Sequence, residues 1–221
     1  MIEQESDRTT YHQVFESLLA IHDAQIRSIG QQTGKHDIGI DELLDITFEK
    51  GGTSVLADGY LVAGNLRSDE AEFLFQLGVV LQLIDDLQDI REDVTSRQIT
   101  FPVVCRNENK LTEATNHLFS FSGNVFSSPY CNERDTDKHT YDLMETGCRL
   151  LILDSISSNR KLYHTSYVST LEQYSPVRFE YLVRLKRFLK EKSDQSCRAK
   201  DRFRTFLRGR TATPASIRAA M

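Results

Sequence analysis

Three aspartates in the middle of the chain have the spacing of a metal-binding helix. Asp85, Asp89 and Asp93 recur at every fourth position, so a helix places them on one side, about 6 Å apart along its axis. Asp86 and Glu92 lie beside them in the sequence. Carboxylates that converge repel one another and are costly to bury, so this pattern favours a site at which hard divalent cations neutralise the charge. We expect Mg²⁺ to bind here.

The segment that carries these acids predicts a buried helix from about Ser68 to Asp93, because apolar residues surround most of its axis. These residues are Phe73, Leu74, Phe75, Leu77, Val79, Val80, Leu81, Leu83, Ile84, Leu87 and Ile90. On the acidic face, we expect Gln82 to donate to a ligand oxygen or to hold a carboxylate, and Gly78 to leave space for a ligand. The alternative is an exposed acidic helix end, which is disfavoured because negative charge near a C-terminus opposes the helix dipole.

Helical periodicity recurs along the rest of the chain and predicts an all-α helical bundle. The predicted helices cover residues 8–29, 41–64, 68–93, 108–121, 136–163 and 169–192. We expect Asp41 to cap the second helix, Pro102 to disfavour helix at the residue before it, and residues 122–134 to form a loop. The length favours one domain over residues 1–209, and the aperiodic residues 210–221 predict a disordered tail.

The composition, with 39% hydrophobic and 27% charged residues, is ordinary for a water-soluble chain. No apolar run approaches the roughly 18 residues of a membrane span, and the N-terminus lacks a signal-peptide pattern. We therefore expect no transmembrane segment and a cytoplasmic location. The cysteines form no CxxC pair and the histidines have no metal-ligand spacing, so we expect reduced, structural thiols. There is no glycine-rich phosphate loop.

The end of the chain is basic. Residues 178–221 contain 13 Lys or Arg and 4 Asp or Glu, a net charge of +9, although the whole chain carries -5. Such a segment can attract diphosphates, anionic lipid or nucleic acid, or it can be a solvated helix. Nucleic acid is disfavoured because no aromatic interleaving or binding motif accompanies the charge. Peripheral membrane contact remains open.

Three segments resemble motifs of the trans-polyprenyl diphosphate synthases, which are class I isoprenoid synthases. Leu81–Asp89, LQLIDDLQD, is similar to the second aspartate-rich motif of that family, Q-x-x-D-D-x-x-D. Lys50–Ser54, KGGTS, resembles the lysine-containing segment one helix earlier. Arg97–Pro102, RQITFP, resembles the basic-x-x-T-L-P segment that follows the motif. The resemblance covers residues 41–104, with the three segments in the family's order.

The resemblance implies a helical bundle of the isoprenoid synthase type and a Mg²⁺-dependent prenyltransferase of isoprenoid biosynthesis, acting on allylic prenyl diphosphates. The residues it implies are, for catalysis, Asp85, Asp89 and Lys50; for substrate binding, Lys50, Gln82 and Arg97; and for Mg²⁺, Asp85, Asp86, Asp89 and Asp93. A carbocation formed from such a substrate needs a dry, aromatic-walled cavity. The candidate aromatic residues are Phe48, Tyr60 and Phe75.

The same stretch also resembles the squalene and phytoene synthases, which join two prenyl diphosphates head to head. Their segment reads approximately Q-L-x-N-x-L-R-D-x-x-E-D, and Gln82, Asp89, Glu92 and Asp93 fit that form. The polyprenyl synthase interpretation is preferred because this chain has the paired aspartate at Asp86 and a lysine one helix earlier.

Both families carry a first aspartate-rich motif well upstream of the second. The one candidate here is Asp41–Asp45, DELLD, which we interpret as a helix cap and a surface acid. The resemblance therefore implies a fold that is incomplete at its N-terminus, with uncertain activity for this chain alone. A homo- or hetero-oligomer could complete it, and the contrary hypothesis is a non-catalytic partner subunit that keeps the fold.

Overall fold

The computed structural model describes residues 7–32, 38–132 and 138–192, and these are all-helical, with no strand among them. The helices are α1 (His12–Gln32), α2 (Ile40–Ala63), α3 (Ser68–Ser96), α4 (Phe101–Asn107), α5 (Leu111–Phe126), α6 (Pro129–Asn132), α7 (Lys138–Ser158) and α8 (Thr165–Glu172), with a 3-10 turn at Arg160–Leu162. A ninth helix, α9, covers residues 179–192. The predicted all-α bundle is confirmed.

The described residues form two units. The first contains α1 to α8 and ends at Pro176, and the second begins at Val177 and contains α9. The predicted domain boundary at residues 209 and 210 and the predicted disordered tail both lie outside the described residues. No helix in the described part of the chain is long and apolar enough to cross a membrane.

Helices α2 and α3 form an antiparallel hairpin at the centre of the first unit. The link between them is short because Gly64 takes a φ of 77°, which a residue with a side chain rarely adopts, and its N–H donates to the Tyr60 carbonyl at 2.8 Å. Helix α3 then starts with Glu70 accepting from the backbone N–H of Arg67 at 2.9 Å. Helix α1 packs on α2, with an ion pair between Arg27 and Glu49.

The hairpin closes around two facing glycines. A Cβ atom added to Gly51 would lie 2.5 Å from the carbonyl oxygen of Gly78, and one added to Gly78 would collide with the Gly51 carbonyl. One turn away, the ring of Phe75 covers Gly52. The expectation that Gly78 leaves space for a ligand is therefore wrong, because the backbone of α2 fills that space.

Helix α3 is the core of the unit, as its apolar circumference predicts, since it contacts α2, α4, α5, α6 and α7. Its buried apolar residues are Phe73, Leu77, Val79, Val80, Leu83, Ile84, Leu87 and Ile90. Phe73 packs edge-on against Phe126 and Tyr141, with ring centroids 5.9 and 5.5 Å away. At the end of α7, the buried Asn159 side chain donates to the backbone carbonyl of Leu87 at 3.0 Å.

Several predicted helix boundaries are wrong. Gly39, not Asp41, is the N-cap of α2, and Asp41 lies in its first turn. Helix α4 begins at Phe101, because Pro102 in a first turn costs no backbone hydrogen bond. Residues 122–132 of the predicted loop are largely helical, since they complete α5 and form α6. The predicted helix 169–192 is interrupted between α8 and α9.

We expect Gly51→Ala to lower the free energy of unfolding by about 1–3 kcal/mol, because the new methyl group overlaps the backbone of α3. The matched control is Gly123→Ala in α5, where nothing lies within 4 Å of an added Cβ atom. That change should raise stability by about 0.5–1 kcal/mol through reduced freedom of the unfolded chain. Urea unfolding measures both, and equal effects would contradict the tight crossing.

Candidate functional site

A polar cavity of about 200 Å³ lies along one side of the α2–α3 hairpin. Its lining residues are Ser28 from α1; Thr47 and Lys50 from α2; Gln82, Asp85, Asp86, Asp89, Glu92 and Asp93 from α3; and Gln98 and Thr100 from the segment after α3. We call it the acidic cavity. It brings together six of the seven residues that sequence analysis singled out for the site.

The helix period explains why these side chains converge. On α3, residues 82, 85, 86, 89 and 93 follow the i, i+3, i+4 spacing of one helix face. On α2, Lys50 immediately precedes Gly51, where the two helix backbones meet. The close crossing therefore places Lys50 at the cavity that the carboxylates of the facing helix line. Its positive charge partly offsets the rise that burial causes in the pKa of Asp85 and of Asp86.

Asp86 is the most constrained carboxylate of the acidic cavity. Its side chain is buried, with 9% exposure, and it accepts a hydrogen bond from Nε2 of Gln82 at 2.7 Å. Burial raises its pKa to about 6, although the Gln82 hydrogen bond and the charge of Lys50 act in the opposite direction. Gln82 thus holds a carboxylate, which was one of the two roles predicted for it.

Asp85 and Asp93 also have raised pKa values. Burial is the largest cause for both, and the charge of Asp89 adds to it. Asp93 is held in place by Thr100, whose hydroxyl donates to its Oδ2 at 3.0 Å. Lys50 is the only cationic residue that lines this cavity in the described chain, against five carboxyl groups. The cavity therefore has an excess of negative charge that a bound cation would relieve.

The donor set fits Mg²⁺ held jointly by protein and ligand. Among the described residues, no three His, Cys, Asp or Glu side chains lie close enough to form a ready-made metal cage. Magnesium keeps several waters and is commonly bound through one or two carboxylates plus phosphate oxygens. The exposed Asp85 and Asp89 and the buried Asp86 and Asp93 supply hard oxygen donors of that kind.

The structure does not bring Arg97 into the acidic cavity. Arg97 is the C-cap of α3, in a left-handed conformation with a φ of 59°, and its side chain is exposed. Its N–H donates to the carbonyl of Asp93, which ends the helix. The neighbouring Gln98 and Thr100 line the cavity instead, and sequence reasoning assigned neither a role, although both lie in the RQITFP segment.

Sequence analysis assigned no role to two further residues of the acidic cavity. Thr47 lies one turn before Lys50 on the same face of α2, which would have pointed to it. Ser28 comes from α1, and only the packing of α1 on α2 brings it here. Asp41 and Asp45 are exposed and do not line the cavity, so every carboxyl group that a described residue contributes to it comes from α3.

A second cavity, of about 270 Å³, is almost entirely apolar. Its lining residues are Leu44, Phe48, Leu83, Leu87, Phe101, Pro102, Leu111, Ala114, Thr115, His117, Leu118 and Phe121. It shares no lining residue with the acidic cavity, because Phe48 and Lys50 lie on opposite sides of α2. Of the predicted aromatic wall, only Phe48 lines either cavity, since Phe75 packs on Gly52 and Tyr60 lines neither.

Comparison of the chain with protein-family models, with curated proteins and with solved structures found no match.

We expect the Asp86→Asn chain, in chelator, to be more stable than the native chain at neutral pH. The raised pKa of about 6 means that folding favours the protonated carboxyl. The stability that this protonated group contributes below pH 3.8 is therefore lost as the pH rises through 6. The asparagine removes that loss, which amounts to about 2–3 kcal/mol. Urea unfolding at a series of pH values measures it.

The control for this prediction is Asp45→Asn, which changes an exposed acid of α2. It should leave the free energy of unfolding at neutral pH close to that of the native chain. A difference between the native and Asp86→Asn chains that stays constant from pH 4 to pH 7 would contradict the assignment, because a packing change does not titrate.

Proposed function

We propose that the protein binds a prenyl diphosphate through Mg²⁺ at the acidic cavity and belongs to the prenyltransferases of the polyprenyl diphosphate synthase type. One observation supports this most. Each of the three segments that resemble this family contributes residues to the same cavity. The first contributes Lys50, the second contributes the acidic residues of α3 up to Asp89, and the third contributes Gln98 and Thr100.

The residues of the cavity would have different roles in binding Mg²⁺ and the diphosphate. Mg²⁺ would neutralise the negative charge that develops on the departing diphosphate. Asp85 and Asp89, which are exposed at the cavity, would hold the metal from the protein side. Lys50, which lines the same cavity, would donate directly to diphosphate oxygens.

The remaining polar residues would position this group. Gln82 fixes the carboxylate of Asp86 through its amide, and Thr100 fixes that of Asp93. Both bonds leave at least one carboxylate oxygen with capacity for a further partner. Such positioning reduces the reorganisation needed when a charged ligand arrives.

A second function has an observation in its favour. Within the described part of the chain, the carboxyl groups of the acidic cavity all come from one helix, and the apolar cavity lies on the other side of the hairpin. A non-catalytic subunit that binds diphosphate, or that partners a synthase chain, needs neither a second acidic helix nor a cavity for the prenyl chain. Head-to-head condensation of the squalene and phytoene synthase type uses the same metal chemistry, and Glu92, which fits that motif, also lines the cavity.

We expect pyrophosphate to bind at least about tenfold more tightly in Mg²⁺ than in chelator, because the carboxylates alone repel it. The double variant Asp85→Asn with Asp89→Asn should lose this dependence. Titration calorimetry measures both.

The matched control for this binding experiment is Asp41→Asn with Asp45→Asn. It removes two acids of the same spacing from the exposed face of α2. This variant should bind like the native chain. Equal pyrophosphate affinity in chelator and in Mg²⁺ would count against the proposed site.

We expect the purified chain, given Mg²⁺, geranyl diphosphate and isopentenyl diphosphate, to form little or no product. Ionisation needs charge stabilisation around the diphosphate, and this cavity supplies carboxylates from one side only. Product analysis by mass spectrometry measures turnover. Strong Mg²⁺-dependent turnover that Asp85→Ala abolishes would refute this expectation and favour the enzyme over the non-catalytic subunit.

A further inference from the structure

Helix α9 carries an exposed apolar stripe. Tyr181, Leu185, Phe188 and Leu189 follow the i, i+4, i+7, i+8 spacing of one helix face. Their exposed fractions are 51%, 38%, 53% and 56%. Isolated exposed apolar residues are ordinary, but four on one helix face within residues 179–192 form a continuous surface.

The rest of this helix is strongly basic. Its charged residues are Arg184, Lys186, Arg187, Lys190 and Lys192, against Glu180 and Glu191. Arg184 lies within about 40° of Phe188 around the helix axis, so it borders the stripe directly. The ammonium group of Lys192 lies 5.5 Å from the centroid of the Phe188 ring. Positive charge therefore lies next to the apolar stripe, at Arg184 and at Lys192.

We propose that α9 binds the surface of an anionic lipid bilayer, with the stripe inserted at the level of the headgroups and the Arg and Lys side chains paired with lipid phosphates. A cationic polar face opposite large apolar residues is the pattern of a helix that lies in the plane of a membrane interface. Each basic residue near such a surface adds attraction to acidic lipids.

The combination of stripe and charge selects lipid over other anionic partners. A nucleic acid would neutralise the Arg and Lys residues but leave Phe188 and Leu189 in water, whereas a bilayer accommodates both sets. Leu143 on α7 gives an internal comparison. It is 65% exposed, but Asp142 and Glu145 flank it, so anionic lipid would be repelled there.

The test is co-sedimentation of the full chain with vesicles, without Mg²⁺ or diphosphate, so that it is independent of the proposed function. We expect binding to vesicles of phosphatidylcholine enriched in phosphatidylserine, and little binding to phosphatidylcholine alone. Phe188→Ser with Leu189→Ser should weaken binding at least about tenfold, and Arg184→Glu with Arg187→Glu should do the same. The control Leu143→Ser should bind like the native chain.

A second measurement reports insertion directly. The chain contains no tryptophan, so Leu189→Trp introduces a single fluorophore into the stripe. Its emission should shift to shorter wavelength on phosphatidylserine vesicles and be quenched by brominated acyl chains. Binding without any shift, native binding by the Phe188→Ser and Leu189→Ser variant, or binding to duplex DNA in preference to vesicles would each overturn the proposal.

Discussion

The contact between Gly51 and Gly78 is the constraint on which the rest of the first unit depends. Because neither residue has a side chain, the backbones of α2 and α3 touch, and a Cβ atom at either position would collide. This contact brings Lys50 into the same cavity as Asp85 and Asp86. It also divides the hairpin into two sides, with the polar cavity along one and the apolar cavity along the other.

Burying the carboxylates of the acidic cavity costs folding free energy, and this cost bears on what the cavity does. Burial raises the pKa values of Asp86, Asp85 and Asp93, so the ionised groups oppose folding at neutral pH. Lys50, Gln82 and Thr100 offset part of that opposition. This excess of buried carboxylates, which opposes folding, is the observation on which the proposed cation site depends.

The helices and the acidic face were predictable because spacing along a helix translates directly into direction around it. The role of Gly78 was not, since a missing side chain is equally compatible with a ligand and with the backbone of a neighbouring helix. Arg97 does not line the acidic cavity because its own backbone is left-handed, and no glycine in the sequence marks that left-handed position. Residues 122–132 look like a loop by composition, but burial of Phe126 keeps α5 helical to its end.

Asn159 has a consequence for the precision of the site. Its buried amide donates to the backbone carbonyl of Leu87 at 3.0 Å. Leu87 lines the apolar cavity and the preceding Asp86 lines the acidic cavity, so the end of α7 is attached to α3 at the point where the two cavities adjoin the helix. One residue along a helix is a rotation of about 100°, which would exchange Asp86 for Leu87 at the cavity wall. A single hydrogen bond from Asn159, which lines neither cavity, therefore favours the rotation of α3 about its axis that directs Asp86 to the acidic cavity and Leu87 to the apolar one.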